Sequence, residues 1–208
     1  MTLKTDVAVV GGGTAGWLSA LYAKHYYPNF EVTVVASEEI GILGAGEGTT
    51  PNFIAALEQL KIPVQDIITK CKGTLKVGIE FKNWHGDGSS FFHNFSYSTS
   101  SDFELCPSFL QKEELAYAVT QKKKLWELSP YTQIATESKT PFVFDTPTQI
   151  SNKGRYALHF DAALLAKYLK ETALERGIVF IDAIIEDVLL SKNEHISELC
   201  LSTGQIIA

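Results

Sequence analysis

Residues 6–39 read DVAVVGGGTAGWLSALYAKHYYPNFEVTVVASEE. Val7 to Val10 is a continuous apolar run, the pattern of a strand buried on both faces of a parallel sheet. Gly11, Gly13 and Gly16 follow at G-x-G-x-x-G spacing. The first allows a tight turn, the second lets the backbone approach a pyrophosphate, and the third lets a helix pack on the strand. The helix is predicted to start at Thr14, so that the free N–H groups of Thr14, Ala15 and Gly16 and the helix dipole face a diphosphate. Pro28 and Asn29 end the helix, and Glu31 to Ala36 forms the next strand. The motif alone is weak evidence, but its place between a strand and a helix, with a second strand after it, makes it a dinucleotide-binding unit. One position departs from the pattern. The acid expected to meet the adenosine ribose should end the second strand, where Ala36 stands; Ser37 or Glu38 is the nearest replacement.

The rest of the chain is ordinary for a globular α/β protein. It has 208 residues, of which 45% are hydrophobic and 20% charged, enough for one large domain or two small ones. The net charge of -6 argues against a nucleic-acid partner, and the run Lys122 to Lys124 is expected on a solvated helix face. Three widely spaced cysteines, Cys71, Cys106 and Cys200, make neither a disulfide framework nor a zinc site, and no metal-ligand spacing occurs elsewhere. The N-terminal apolar run is broken by glycines and is neither a signal peptide nor a membrane span. A reducing, cytoplasmic setting fits.

After the second strand comes GILGAGEGTTPNF, residues 41–53. Gly41, Gly44, Gly46 and Gly48 make a strap able to press its backbone against a flat ligand. Thr50 is placed to cap a helix with Pro51 at its first position, and Phe53, Leu57 and Leu60 form its apolar stripe. Val64, Ile67, Ile68 and Cys71 repeat the pattern. CKGTLKVGIEFKNW, residues 71–84, then alternates as a single strand. Leu75, Val77, Ile79 and Phe81 face one way; Lys76, Gly78, Glu80 and Lys82 face the other. Lys76 is either a surface charge paired with Glu80 or a residue pointing into a site, with Gly78 leaving open space beside it.

GGGTAGW at 11–17, LGAGEGTTPN at 43–52, LKVGIEFKNW at 75–84 and YALHFDAALLAKYL at 156–169 occur in an order and at a spacing that resemble the flavin-dependent halogenases of the tryptophan halogenase family. Flavin monooxygenases in general share the first motif but not the strap or the lysine strand. The resemblance implies a Rossmann-like FAD-binding fold of the flavin monooxygenase type with an inserted substrate-side segment. It also implies FAD delivered as FADH2 by a separate flavin reductase, with O2 and halide as co-substrates. In that family hypohalous acid travels through a tunnel to a lysine beside a small, electron-rich aromatic substrate of the indole or tryptophan type. Lys76 matches that lysine and would either hydrogen-bond the acid or form a haloamine. Glu80 departs from the basic residue several members carry. The strap, with Gly46, Glu47, Thr49 and Pro51, is implied to touch flavin on one side and the substrate site on the other.

Further on, FFHNFSY at 91–97 puts His93 among aromatics, as in the family's substrate-side segment, although a plain structural histidine is the simpler reading. Ser108 and Gln111 are a capping-box signature for a helix reaching about Trp126. Phe142, Phe144 and Trp126 are candidate pocket aromatics. Asp161 is read as the N-cap of a helix over 162–176, closed by Gly177. A strand over 178–181 and a hairpin turning at NEH, residues 193–195, complete the chain. The organisation expected is a first part of the FAD-binding core at 1–84, an insert at 85–155 and a return to the core at 156–208, as the N-terminal portion of a longer protein. The competing readings are a flavin monooxygenase that uses no halide and a non-catalytic flavin-binding module. Whether the protein is a homo-oligomer is open.

Overall fold

The computed structural model describes residues 2–41, 44, 48–95, 120, 122, 130–137, 139 and 156–208. β1 (Thr2–Leu3) precedes β2 (Val7–Val10), and helix α1 (Thr14–Tyr26) leads to β3 (Val32–Ala36). Helices α2 (Pro51–Gln59) and α3 (Val64–Lys70) follow, then β4 (Thr74–Lys76), β5 (Gly78–Lys82), β6 (Ser90–Asn94) and the short helix α4 (Pro130–Thr136). The chain continues through β7 (Ala157–His159), α5 (Ala162–Glu175), β8 (Val179–Asp182), β9 (Ile185–Leu190), β10 (Ile196–Leu201) and β11 (Ile206–Ile207).

The nucleotide-binding unit is as the sequence reads, with one correction. β2, β3 and β8 form a parallel sheet in the order β2-β3-β8. The strand buried on both faces is β3, whose Val32, Thr33, Val34 and Val35 are all buried. β2 alternates half-buried and exposed, with Val10 59% exposed, because among the described residues it pairs on one side only. The fold is α/β and Rossmann-like.

α1 buries Trp17, Ala20 and Leu21, and α5 buries Leu165, Ala166, Leu169 and Ala173 in the same core. α2 and α3 add Leu57 and Ile67, and Leu60 just after α2 joins them. Tyr168 of α5 donates its hydroxyl to Asp66 of α3 at 2.8 Å, which holds the Asp66 carboxyl below its usual range. Burial, reinforced by that bond, pushes the Tyr168 phenol up to about 12. Asp161 caps α5, its Oδ1 accepting from the N–H groups of Ala163 and Leu164 at 3.0 and 3.1 Å. Gly177 closes the helix with φ +78. Thr50 precedes α2 but makes no side-chain cap bond. A second, smaller core of Val35, Ala183, Leu199, Leu201 and Ile207 joins the parallel sheet to a four-stranded sheet of order β1-β11-β10-β9.

Residues 71–84 are not one strand. The run breaks at Val77 into β4, which pairs antiparallel with β7, and β5, which pairs antiparallel with β6. The alternation is therefore shared between two sheets, and Ile79, expected on the covered face, is 36% exposed on the β5–β6 ribbon. Lys122 is exposed in a turn with φ +52 rather than on a helix face. The capping box at Ser108 and Gln111 and the aromatics Trp126, Phe142 and Phe144 lie outside the described residues, as do Cys106, Gly46 and Glu47.

Candidate functional site

The glycine turn is built for close approach. Gly11 takes φ +113 and donates its N–H to Val35 O at 2.9 Å, pinning the turn to β3. A Cβ on Gly16 would lie 1.9 Å from Gly11 O, so only glycine lets α1 start this near the turn. A Cβ on Gly12 would meet that of Ala36 at 2.9 Å, so glycine at position 12 lets the turn close against the end of β3. Space is open beside Gly11 and Gly13. Gly13 is the N-cap of α1 and brings no side-chain partner, so the first N–H groups at Thr14, Ala15 and Gly16 remain for an anion.

Beside the turn is a cavity of about 310 Å³, lined by Gly12, Ala36, Ser37, Glu38 and Gly41 on one wall and Lys167, Lys170 and Phe180 on the other. Both candidates for the ribose contact, Ser37 and Glu38, reach it. Glu38 is fixed there: its N–H donates to Asp182 Oδ1 at 2.9 Å and its carboxylate pairs with Lys170. Lys170 lies 3.6 Å above the centroid of the Phe180 ring. The open glycine turn, the uncapped helix start and this cavity fit the diphosphate and nucleoside of a dinucleotide. Lys170 gives no sequence signal, since it stands 132 positions from Glu38.

A second cavity, of about 390 Å³, contains Lys76. Its wall combines Leu75, Val77 and Gly78 with Phe92 of β6, Ile134 and Ala135 of α4, Lys139 and His159. Lys76 is half-buried and does not pair with Glu80, whose carboxylate instead takes Lys82 at 3.3 Å. Lys76 Nζ donates to Thr49 O at 3.0 Å and lies 5.6 Å from the Phe95 ring centroid. Thr49 is itself held to β7: its N–H donates to Leu158 O at 2.9 Å, and its hydroxyl donates to that oxygen and accepts from Leu158 N–H. The space expected beside Gly78 is filled, because a Cβ there would be 2.6 Å from the Phe92 ring. His93 alternates with Phe92 and is exposed, opposite Ile79, with Nδ1 2.9 Å from Asn94 O; the lining is supplied by Phe92.

The strap joins the two cavities. Gly41 lines the first, and Gly48 lies against Lys76 in the second. Seven residues of extended chain reach about 25 Å at most, which bounds the separation of these two glycines. Cys71 is buried, and desolvation pushes its thiol up to about 11, so it is no nucleophile. Among the described residues there is no cluster of His, Cys, Asp and Glu able to hold a metal, and no helix is long and apolar enough to cross a membrane.

The sequence profile of the tryptophan halogenase family matches residues 6–208. The 7-chloro-L-tryptophan 6-halogenase KtzR of Kutzneria sp. (strain 744) is 31% identical over 199 residues, covering 88% of this chain and 38% of that protein. Tryptophan 7-halogenase RebH of Lentzea aerocolonigenes is 29% identical over 228 residues, covering 99% and 41%. Among solved structures, a flavin-dependent halogenase from Xanthomonas campestris superposes with a TM-score of 0.79 at 26% identity, over 97% of this chain and 40% of that one. The chain thus spans about 40% of the length of the relatives it matches.

Proposed function

Because this chain belongs to the tryptophan halogenase family, we propose that the protein halogenates an electron-rich aromatic of the indole or tryptophan type, with FAD, a separate flavin reductase, O2 and a halide. The observation that carries this reading is the strap, which has one end on the dinucleotide cavity and the other under the Lys76 amine. Reduced flavin, when bound, supplies hypohalous acid from O2 and halide. The remaining tasks fall to this chain. Gly11, Gly13 and the N–H groups of Thr14, Ala15 and Gly16 hold the diphosphate. Ser37 and Glu38 meet the adenosine side, and the flavin contact of the strap is assigned to Gly46, Glu47 and Thr49.

Lys76 has three N–H donors when protonated. Thr49 O takes one, which fixes the side chain and leaves two for the oxygen of HO–X. Donation to that oxygen makes hydroxide the better leaving group, so halogen passes to the ring carbon as the cation equivalent. Residues 85–155 serve as the substrate-side insert: Phe92, Ile134 and Ala135 supply the apolar wall opposite Lys76. A cytoplasmic setting, where reductase and reduced flavin are available, suits this chemistry.

The Lys76→Ala variant tests the proposal. Flavin oxidation and release of trappable hypohalous acid should continue, while halogenated product, read by mass spectrometry, should fall by about 100-fold or more, as for a lost positioned acid. Undiminished halogenation in that variant would overturn it.

A further inference from the structure

Gly48, His159 and Lys76 meet at one point. A Cβ built on Gly48 would stand 3.2 Å from both Cε1 and Nδ1 of His159 and 3.4 Å from Lys76 Nζ. The amine and the imidazole thus both border the space that glycine leaves. The register explains the meeting. Lys76 pairs with Ala157 and His159 with Thr74, so the two lie diagonally on one face of the β4–β7 pair. Gly48 forms an isolated bridge to His159, and Thr49 is bonded both to Leu158 and to Lys76, which holds the arrangement from the strap side. Both side chains line the 390 Å³ cavity, and His159 is exposed to solvent. Among the described residues, the other charged group on that wall is Lys139, which is paired with Glu137.

We propose that His159 is the positioning and proton-exchange partner of Lys76, a role that rests on the halogenase reading for its chemistry but not for its geometry. In that reaction a C–X bond forms and the O–X bond breaks. A proton from Lys76 Nζ converts the departing hydroxide to water, and the ring proton is lost to solvent base. Lys76 is then a neutral amine and must regain a proton before the next turnover. The imidazole of His159, which lines the same cavity, supplies it and recovers its own from bulk water. A methyl group on Gly48 would press on both side chains, at 3.2 Å from the imidazole and 3.4 Å from the amine, and so disturb their placement.

Two readouts test this. In turnover, His159→Gln should lower kcat roughly 100-fold, the low end for a positioned acid–base group, with little change in KM for the aromatic. His159→Ala should be restored several-fold by free imidazole, which a merely structural histidine would not allow. Gly48→Ala should reproduce the kcat loss with both partners still present. Independently of flavin and halide, trace acylation of the amines in the protein should label Lys76 several-fold more slowly in His159→Gln than in the wild type, relative to exposed Lys192. Slower labelling supports the partnership even where no halogenated product is found. Wild-type kcat in His159→Gln, or unchanged Lys76 labelling, would overturn it while leaving the halogenase reading intact.

Discussion

Gly16 and Gly13 are neighbours in one motif with opposite constraints. The Cβ of a Gly16→Ala variant would be driven into the Gly11 carbonyl at 1.9 Å. Backbone cannot step aside as a flexible side chain can, so the expected cost is about 3 kcal/mol, the upper end for overpacking. Gly13→Ala meets nothing within 4 Å and keeps an ordinary φ of −80, so stability should change by less than about 1 kcal/mol. The Gly13 methyl would instead occupy the open space in front of the helix start. Thermal unfolding should separate the two variants, whereas flavin fluorescence titration should show weakened FAD binding in both. An equal Tm loss in both would contradict this division. These glycines were legible in the sequence because their roles are local. The pairing of Glu38 with Lys170, and the approach of both Lys76 and His159 to Gly48, was not, because no periodicity links residues so far apart in the chain.

Helix starts show the same contrast between what composition suggests and what geometry uses. Asp161 and Thr50 both occupy N-cap positions, and both are residues that cap well. Only Asp161 does so, with two backbone N–H groups on one carboxylate oxygen. Thr50 leaves its helix to Pro51. Asp161→Ala is expected to cost about 1 kcal/mol in urea unfolding, whereas Thr50→Ala should stay within about 0.5 kcal/mol. Strand boundaries were harder to read. The alternation over residues 74–82 is the same for one strand as for two strands with a break at Val77. What decides it is pairing with residues 157–159 on one side and 90–94 on the other, which is tertiary information.

At the scale of the molecule, the core is divided unequally. The larger cluster runs from α1 and β3 through α2 and α3 to α5, and the smaller one joins only a few side chains around Leu199 and Leu201 to the parallel sheet. The outer strands carry exposed apolar residues, with Leu190 59% and Ile196 67% exposed. Local opening is cheapest where few buried side chains must part. Amides of β9 and β10 are therefore expected to exchange with deuterium before those of β3 and α5, and Leu201→Ala should speed β9 and β10 while leaving β3 slow. Uniform exchange across both sheets would show a single cooperative unit instead. The parallel sheet itself followed from the opening motif, but the burial of β3 rather than β2 did not, since β2 is uniformly apolar in sequence and β3 contains Thr33.

The break at Val77 has a consequence for how such a protein can diversify. The amine is anchored on one side of the seam, to Thr49 and β7, while the ribbon that begins one residue later carries Gly78 and Phe92 of the cavity wall. Substitutions within residues 78–95 are therefore expected to redraw the contour of that cavity while the Lys76 nitrogen keeps its address on Thr49.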